Sequence, residues 1–180
     1  HGLVALDAKD EVVRPAKLWC DTSTQAQCAE IAHEFGGQPG VIHLAGNAML
    51  PGYTIPKVLW MKQKESKNFA KTKSSLLPHD YINFWLSGVK RMEYGDASGM
   101  GILNVRTREW CDELINFIDP RVREMLPTLG SSREAHGTLR PELAKKWGLG
   151  AEVVISAGGG DNMMGAIGTG NIKPGVVTAS

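Results

Sequence analysis

The chain has 180 residues, with 20 basic and 19 acidic side chains and a formal net charge of +1. That length holds one domain, or one domain and a small lobe. The near-balanced charge and scattered basic residues leave no electrostatic footprint for nucleic acid or a membrane surface, so neither is expected as a partner. Hydrophobic content of 42% and charged content of 22% are ordinary for a globular protein. Cys20, Cys28 and Cys111 show no CxxC spacing, which argues against a zinc module or a disulfide framework. Free thiols point to a reducing, cytoplasmic setting. No apolar run approaches the roughly eighteen residues that span a bilayer, and no signal-peptide pattern is present.

In chain order, residues 3–13 alternate loosely around "DAKD" and predict a β-hairpin. "RPAKLW" follows, extended because of Pro15. Thr22 and Gln25 have capping-box spacing ahead of "TQAQCAEIAHEFGG", and Gly36-Gly37 stops that helix. Cys28, Ala29, Ala32 and Phe35 are expected on its inner face. After a turn-rich link, Lys57–Lys67 predicts a helix with Pro56 in its first turn, and the lysines from Lys62 to Lys73 read as a solvated face. Helices are also expected in "LLPHDYINFWLSG", "TREWCDELINFID", "DPRVREML" and "RPELAKKWG", each placed by its proline and glycine punctuation. "AEVVISAGGGDNMMGAIGTG" reads as strand, turn and helix, and "GVVTAS" as the start of a strand. Strands at both ends with helices between them predict an α/β or α+β domain.

The run "SAGGGDNMMGA", Ser156 to Ala166, is the chemically distinctive stretch. Three glycines in a row cost backbone entropy and belong where no side chain fits or the chain turns unusually. Two readings stand side by side. Asp161 could be the N-cap of the following helix. Alternatively, a carboxylate at a helix N-terminus, kept ionised by the helix dipole, could be held against a ligand, with the Asn162 amide beside it. The run lacks a clean GxGxxG pattern and a Walker lysine, so dinucleotide and P-loop readings fit poorly. His33, His43, His79 and His136 share no spacing and read as surface or satisfied histidines, and Met163 and Met164 as helix packing.

Several stretches in order resemble the FGGY carbohydrate kinases, and within them the xylulokinase branch. His1-Gly2 is similar to the end of the family's "GQMHG". "RPAKLWCDTST" resembles its "LWxD" element, and "GNAMLPGYTIPKVLW" its substrate-side signature. "LLPHDYINFWLSG", "YGDASGM" and "GGGDN" follow in family order. The resemblance covers essentially all 180 residues. Asn162 after Asp161 favours a ketose kinase over a glycerol kinase, whose pattern reads "GDQ".

The resemblance implies a ribonuclease-H-like (actin/hexokinase-like) α/β fold, with residues 1–180 forming part of the N-terminal FGGY domain. It implies ATP-dependent phosphorylation of a ketopentose, D-xylulose to D-xylulose 5-phosphate, with ATP and Mg2+ as cofactors and a small sugar as substrate. Asp161 would be the catalytic base. His1, Trp19 and Asn162 would bind the sugar, and no metal ligand is assigned. Trp19 is otherwise a core aromatic, His1 a frayed end, Asp21 a helix cap and Lys57 a structural residue. Another FGGY kinase, for ribulose, fuculose, gluconate or glycerol, remains an alternative, as does a non-catalytic sugar-binding module. The resemblance also allows a homodimer.

The sequence departs from the family pattern in places. The "DxGTS" and "GTSG" phosphate loops and the C-terminal domain are absent. Glu93 stands where the family has Asp, and Met100 where it often has Thr. These 180 residues alone are therefore expected to be an inactive fragment, short of its N-terminal strands and prone to associate through an unpaired sheet edge.

Overall fold

The computed structural model describes residues 1–179. It begins with strand β1 (Val4–Leu6), then α1 (Gln25–Glu34), α2 (Gln38–Ala45), α3 (Thr54–Lys64) and α4 (Ser66–Lys71). The middle holds β2 (Ser74–Leu76), α5 (Pro78–Ser87), β3 (Arg91–Glu93), α6 (Tyr94–Ala97), β4 (Leu103–Asn104) and β5 (Glu109–Trp110). After α7 (Asp112–Ile118) and α8 (Val122–Met125) come β6 (Thr128–Gly130), β7 (Ala135–Thr138), α9 (Pro141–Trp147), β8 (Val154–Ser156) and α10 (Asp161–Gly168). The strands form two-stranded ladders: β1–β2, β4–β5 and β7–β8 antiparallel, and β3–β6 parallel.

The predicted hairpin is partly correct. Asp7 turns the chain by accepting the Lys9 and Glu11 N–H groups at 2.8 and 3.0 Å. The returning limb touches β1 at one bridge, Leu6 to Val12, while the β1 ladder runs to β2 instead. The capping box at Thr22 does not form. Thr24 is the N-cap of α1, and its hydroxyl donates to the Pro51 carbonyl at 3.2 Å instead of capping the helix. Cys28 and Ala32 are buried and Phe35 half-buried as expected, but Ala29 faces solvent and Ile31 takes its place in the core. The helix expected over 57–67 starts three residues earlier and breaks at Glu65, whose φ of −130° leaves the helical region. Residues 175–179 form no strand: Val177 is 88% exposed and no neighbouring strand among the described residues pairs with it.

One large apolar cluster joins α1, α3, α7 and the segment from β3 to β4, through Ile31, Val58, Met61, Met92, Ile102 and Leu114. A smaller one sits under β1 and β2, with Val4, Leu6, Leu76 and Phe84. Among the polar groups buried in this interior is Lys57, 0% exposed on α3. Its Nζ donates to the carbonyls of Pro51, Gly52 and Tyr53 at 2.7, 2.8 and 2.8 Å. Burial pushes the ammonium down to about 8. Three acceptors for three N–H bonds keep the charged form satisfied at neutral pH. The turn-rich "LPGY" link is thus drawn around one buried cation, and the structural reading of Lys57 agrees with this placement.

Lys57→Met keeps the volume but takes its donor from three carbonyls, of which that of Pro51 keeps the Thr24 hydroxyl. It is expected to cost about 2 kcal/mol or more in urea unfolding, since each unsatisfied buried acceptor costs about 1–3 kcal/mol.

Candidate functional site

The Lys57-bound link lies beside a cleft of about 540 Å³. His1, Trp19, Asp161 and Asn162 all line it, together with Gly52, Leu77, His79, Asp96, Gly159 and Gly160. The four residues singled out in the sequence are therefore neighbours in space, although they come from opposite ends of the chain.

Each is delivered by a different local device. Leu3 pairs with Lys17, which brings His1 and Gly2 alongside the Leu18-Trp19 segment. The Thr54 hydroxyl, at the start of α3, reaches the His1 and Gly2 carbonyls at 3.3 and 3.2 Å. Lys17 is buried against the Trp60 ring, 4.3 Å from its centroid, and donates to Asp21 and Ser23 at 2.5 and 2.6 Å. Those bonds hold the Asp21 carboxyl well below the usual carboxylate range and tie down the loop that carries Trp19. Trp19 is 68% exposed, so the core-aromatic reading is wrong and the ring forms an open wall of the cleft. Asp21 also accepts the Ser23 N–H at 2.9 Å, closing a turn ahead of α1 and not the helix itself.

Asp161 is the first residue of α10, and the cap position belongs to Gly160. Its carboxylate caps nothing beyond its immediate neighbour: Oδ1 accepts the Asn162 N–H at 2.8 Å. The N-cap reading thus gives way to an exposed carboxylate at the rim of the cleft, in the favourable field of a helix N-terminus. Met163 and Met164 are 59% and 41% exposed, so α10 buries neither fully.

The glycines have a reason that the sequence did not disclose. A Cβ on Gly158, which has φ +70°, would sit 2.6 Å from His79 Nε2. One on Gly159 would meet Met164 at 2.7 Å, and one on Gly160 would touch Asp96 at 3.5 Å. Glycine is required at Gly158, by its positive φ and the His79 ring, whereas at Gly159 the end of the Met164 side chain could shift and at Gly160 the contact is an ordinary one. The loop's approach is anchored from α5, where the Asn83 amide donates to the Ser156 and Ala157 carbonyls at 3.2 and 3.3 Å.

His79, Asp80 and Asp96 were missed by the sequence reading. His79 is a satisfied histidine, its Nδ1 facing Asp80, but it also lines the cleft. His1 Nε2 lies 2.8 Å from Asp96 Oδ1, and His79 Nδ1 lies 3.6 Å from Asp96 Oδ2 and 3.3 Å from Asp80 Oδ1. The hydrogen bond to Asp96 raises the His1 pKa, and the nearby Asp161 charge adds to it. The bond to Asp80 raises that of His79. Asp80 is 1% exposed, and burial pushes its carboxyl up from 3.8 to about 6. The "LLPHDY" spacing held the available signal, an acid three residues into a helix that begins with proline. His136 differs: it is buried with Nε2 2.8 Å from the Val89 carbonyl, a satisfied histidine as expected.

With this geometry established, the comparisons with known proteins decide the family. The model of the FGGY family of carbohydrate kinases, N-terminal domain, matches residues 1–168. This chain belongs to the FGGY family of carbohydrate kinases. A xylulose kinase from Haemophilus influenzae is 44% identical over 182 residues, which takes in 100% of this chain and 37% of the relative. A solved xylulose kinase from Brucella ovis superposes with a TM-score of 0.90 at 38% identity, over 97% of this chain and 35% of that one. A solved gluconate kinase from Lactobacillus acidophilus superposes with a TM-score of 0.87 at 27% identity, over 94% and 34%. The α/β, ribonuclease-H-like class implied by the resemblance is the fold of these kinases. The chain spans about a third of the length of the curated relatives it matches.

Among the described residues, no group of three or more His, Cys, Asp or Glu side chains is arranged to hold an ion, and no helix is long and apolar enough to cross a membrane. Magnesium in kinases keeps water and phosphate oxygens as most of its ligands. The residues present do not make a metal site by themselves.

Two outcomes are expected. Gly158→Ala forces a non-glycine residue to φ +70° against the His79 ring, and should cost about 1–3 kcal/mol in urea unfolding. The second concerns Asp80. The unfolded chain releases this proton near 3.8 and the folded chain near 6. Between those values the folded state binds more protons, so stability falls as pH rises, by on the order of 3 kcal/mol. Asp80→Asn should remove that slope and be at least as stable at pH 7, as read by thermal melts from pH 4 to 8.

Proposed function

We propose that this chain carries the sugar-binding part of an ATP-dependent ketose kinase, and that D-xylulose is converted to D-xylulose 5-phosphate with Asp161 as base. The observation that carries this reading is the Asp161 carboxylate, free of any capping role, on the rim of a cleft shared with His1, Trp19 and Asn162. The names of the relatives support the sugar. So does the chemistry of the cleft: its lining has two carboxylates, Asp96 and Asp161, and neither lysine nor arginine. That suits a neutral, polyhydroxylated substrate better than a sugar acid.

In this reading His1 and Asn162 hydrogen-bond the sugar hydroxyls, and Trp19 covers an apolar face of the carbon chain. The terminal hydroxyl oxygen attacks the γ-phosphorus of ATP as the bond to the β,γ-bridging oxygen breaks and ADP leaves. Asp161 orients that hydroxyl and takes its proton. Phosphoryl transfer has a loose transition state, so the proton moves late and an ordinary carboxylate suffices. The chain would be the sugar-facing part of the N-terminal domain, with ATP and its magnesium engaged by other parts of the FGGY arrangement.

Asp161→Asn in the full-length polypeptide should lower kcat with D-xylulose by about a thousandfold or more, with the sugar KM changed by no more than about threefold. Near-normal turnover would reduce Asp161 to a helix-start residue. A panel of ketoses, gluconate and glycerol should place D-xylulose first; a higher kcat/KM for gluconate would overturn the choice of substrate.

A further inference from the structure

His1, which the proposed reading gives to the sugar, heads a row of side chains whose other members that reading does not use: Asp96 and His79 in the cleft lining and the buried Asp80. We propose that Asp96 is a positioning residue for sugar recognition, fixing the His1 imidazole while His79 and Asp80 fix Asp96 in turn. The proposal rests on the reading of this cleft as a sugar site and deepens it.

The geometry constrains the row from its buried end. Asp80 sits in the first turn of α5, and its Oδ2 accepts the Leu77 N–H at 3.2 Å. Its Oδ1 is left facing His79 Nδ1 at 3.3 Å, so that ring nitrogen carries a proton for a buried acceptor. The same nitrogen is 3.6 Å from Asp96 Oδ2, and the ring is lodged against Gly158. Asp96 therefore has one oxygen turned to His79 and the other to His1, at 2.8 Å. The Glu93 carboxylate accepts the Gly95 and Asp96 N–H groups and sets the backbone from which Asp96 projects.

His1 is equally confined. A Cβ on Gly99 would fall within 2.2 Å of the imidazole, so the ring lies directly over that α-carbon. Tyr53 meets the ring edge-on at 6.1 Å. With Nε2–H given to Asp96, Nδ1 has no protein partner among the described residues and is the nitrogen available to a ligand hydroxyl. Its state follows the charge on the imidazole: a donor when protonated, an acceptor when neutral. Asp96 and Asp161 favour the protonated ring and Lys57 opposes it; Asp80, Asp96 and Glu93 favour protonated His79. The His1–Asp96 attraction is therefore complete below about pH 6.5 and is lost as pH rises through the raised His1 pKa. Sugar affinity should weaken over the same interval.

The test compares the wild-type full-length polypeptide with Asp96→Asn and Asp96→Glu. In Asp96→Asn the KM for D-xylulose should rise about tenfold or more, with kcat within about threefold, because His1 loses the charge-assisted hydrogen bond that orients it for binding. The pH dependence of its KM should move to lower pH with the His1 titration, and Asp96→Glu should recover part of the loss. Unchanged KM and an unchanged pH profile would overturn the proposal. A second readout needs no sugar. NMR titration of the His1 imidazole should give a pKa above 6.5 in the wild type and one lower by about one pH unit or more in Asp96→Asn. An unchanged titration overturns the role of Asp96 whatever the assays show. Failure of the wild type to act on any ketose, with the titration shift present, would overturn the sugar-site reading and leave the Asp96–His1 coupling standing. If Asp96→Asn does not fold, His79→Asn takes its place: it removes the support on the far oxygen of Asp96 and must shift the His1 titration and raise KM.

Discussion

The buried carboxylate of Asp80 is the constraint around which the cleft is organised. At 1% exposure it must find partners, and it finds two: the Leu77 N–H at the start of α5 and the His79 imidazole. The first bond sets the beginning of the helix. The second turns His79 toward Asp96 and against Gly158, and so brings together α5, α6 and the loop before α10. A carboxyl raised to about 6 costs stability at neutral pH.

Lys57 does the complementary work from the other wall. An ammonium inside an apolar core is expensive unless every N–H is met. Here the three acceptors are the successive carbonyls of residues 51–53, so satisfying the charge and shaping the link are one event. The link then supplies Gly52 to the cleft and accepts the Thr24 hydroxyl from the start of α1. The two walls are held by opposite buried charges, Lys57 met by backbone carbonyls and Asp80 by a backbone N–H and the His79 ring, each at the start of a helix.

Such an arrangement leaves the chemistry on the surface and the constraint beneath it. Asp161, Asn162 and Trp19 are exposed, and they sit on segments whose backbones are fixed elsewhere: by Asn83 for the glycine loop and by Lys17 for the tryptophan loop. Side chains placed on a supported rim can meet a ligand without reorganising the core. The FGGY match over residues 1–168 and the superposition on a Brucella ovis xylulose kinase show the same frame in relatives that carry it within chains about three times as long.

The sequence by itself determined most helix positions, because proline and glycine act locally. Pro78 and Gly88 bound α5, and Pro141 and Gly148 bound α9, where φ of 81° and 67° at the stops is the left-handed backbone that glycine adopts most readily. Its ordered motifs also singled out His1, Trp19, Asp161 and Asn162, which converge on one cleft. It did not determine strand pairing or the purpose of the glycines. β1 pairs with a segment seventy residues away, and the "GVVTAS" pattern forms no strand among its described residues, because a ladder depends on the partner as much as on the strand. Gly158 is bare because of its positive φ and of His79, whose distance in sequence carries no sign of contact. Local backbone preferences are written residue by residue. Which buried polar groups must share a proton is decided only when the tertiary structure removes the water between them.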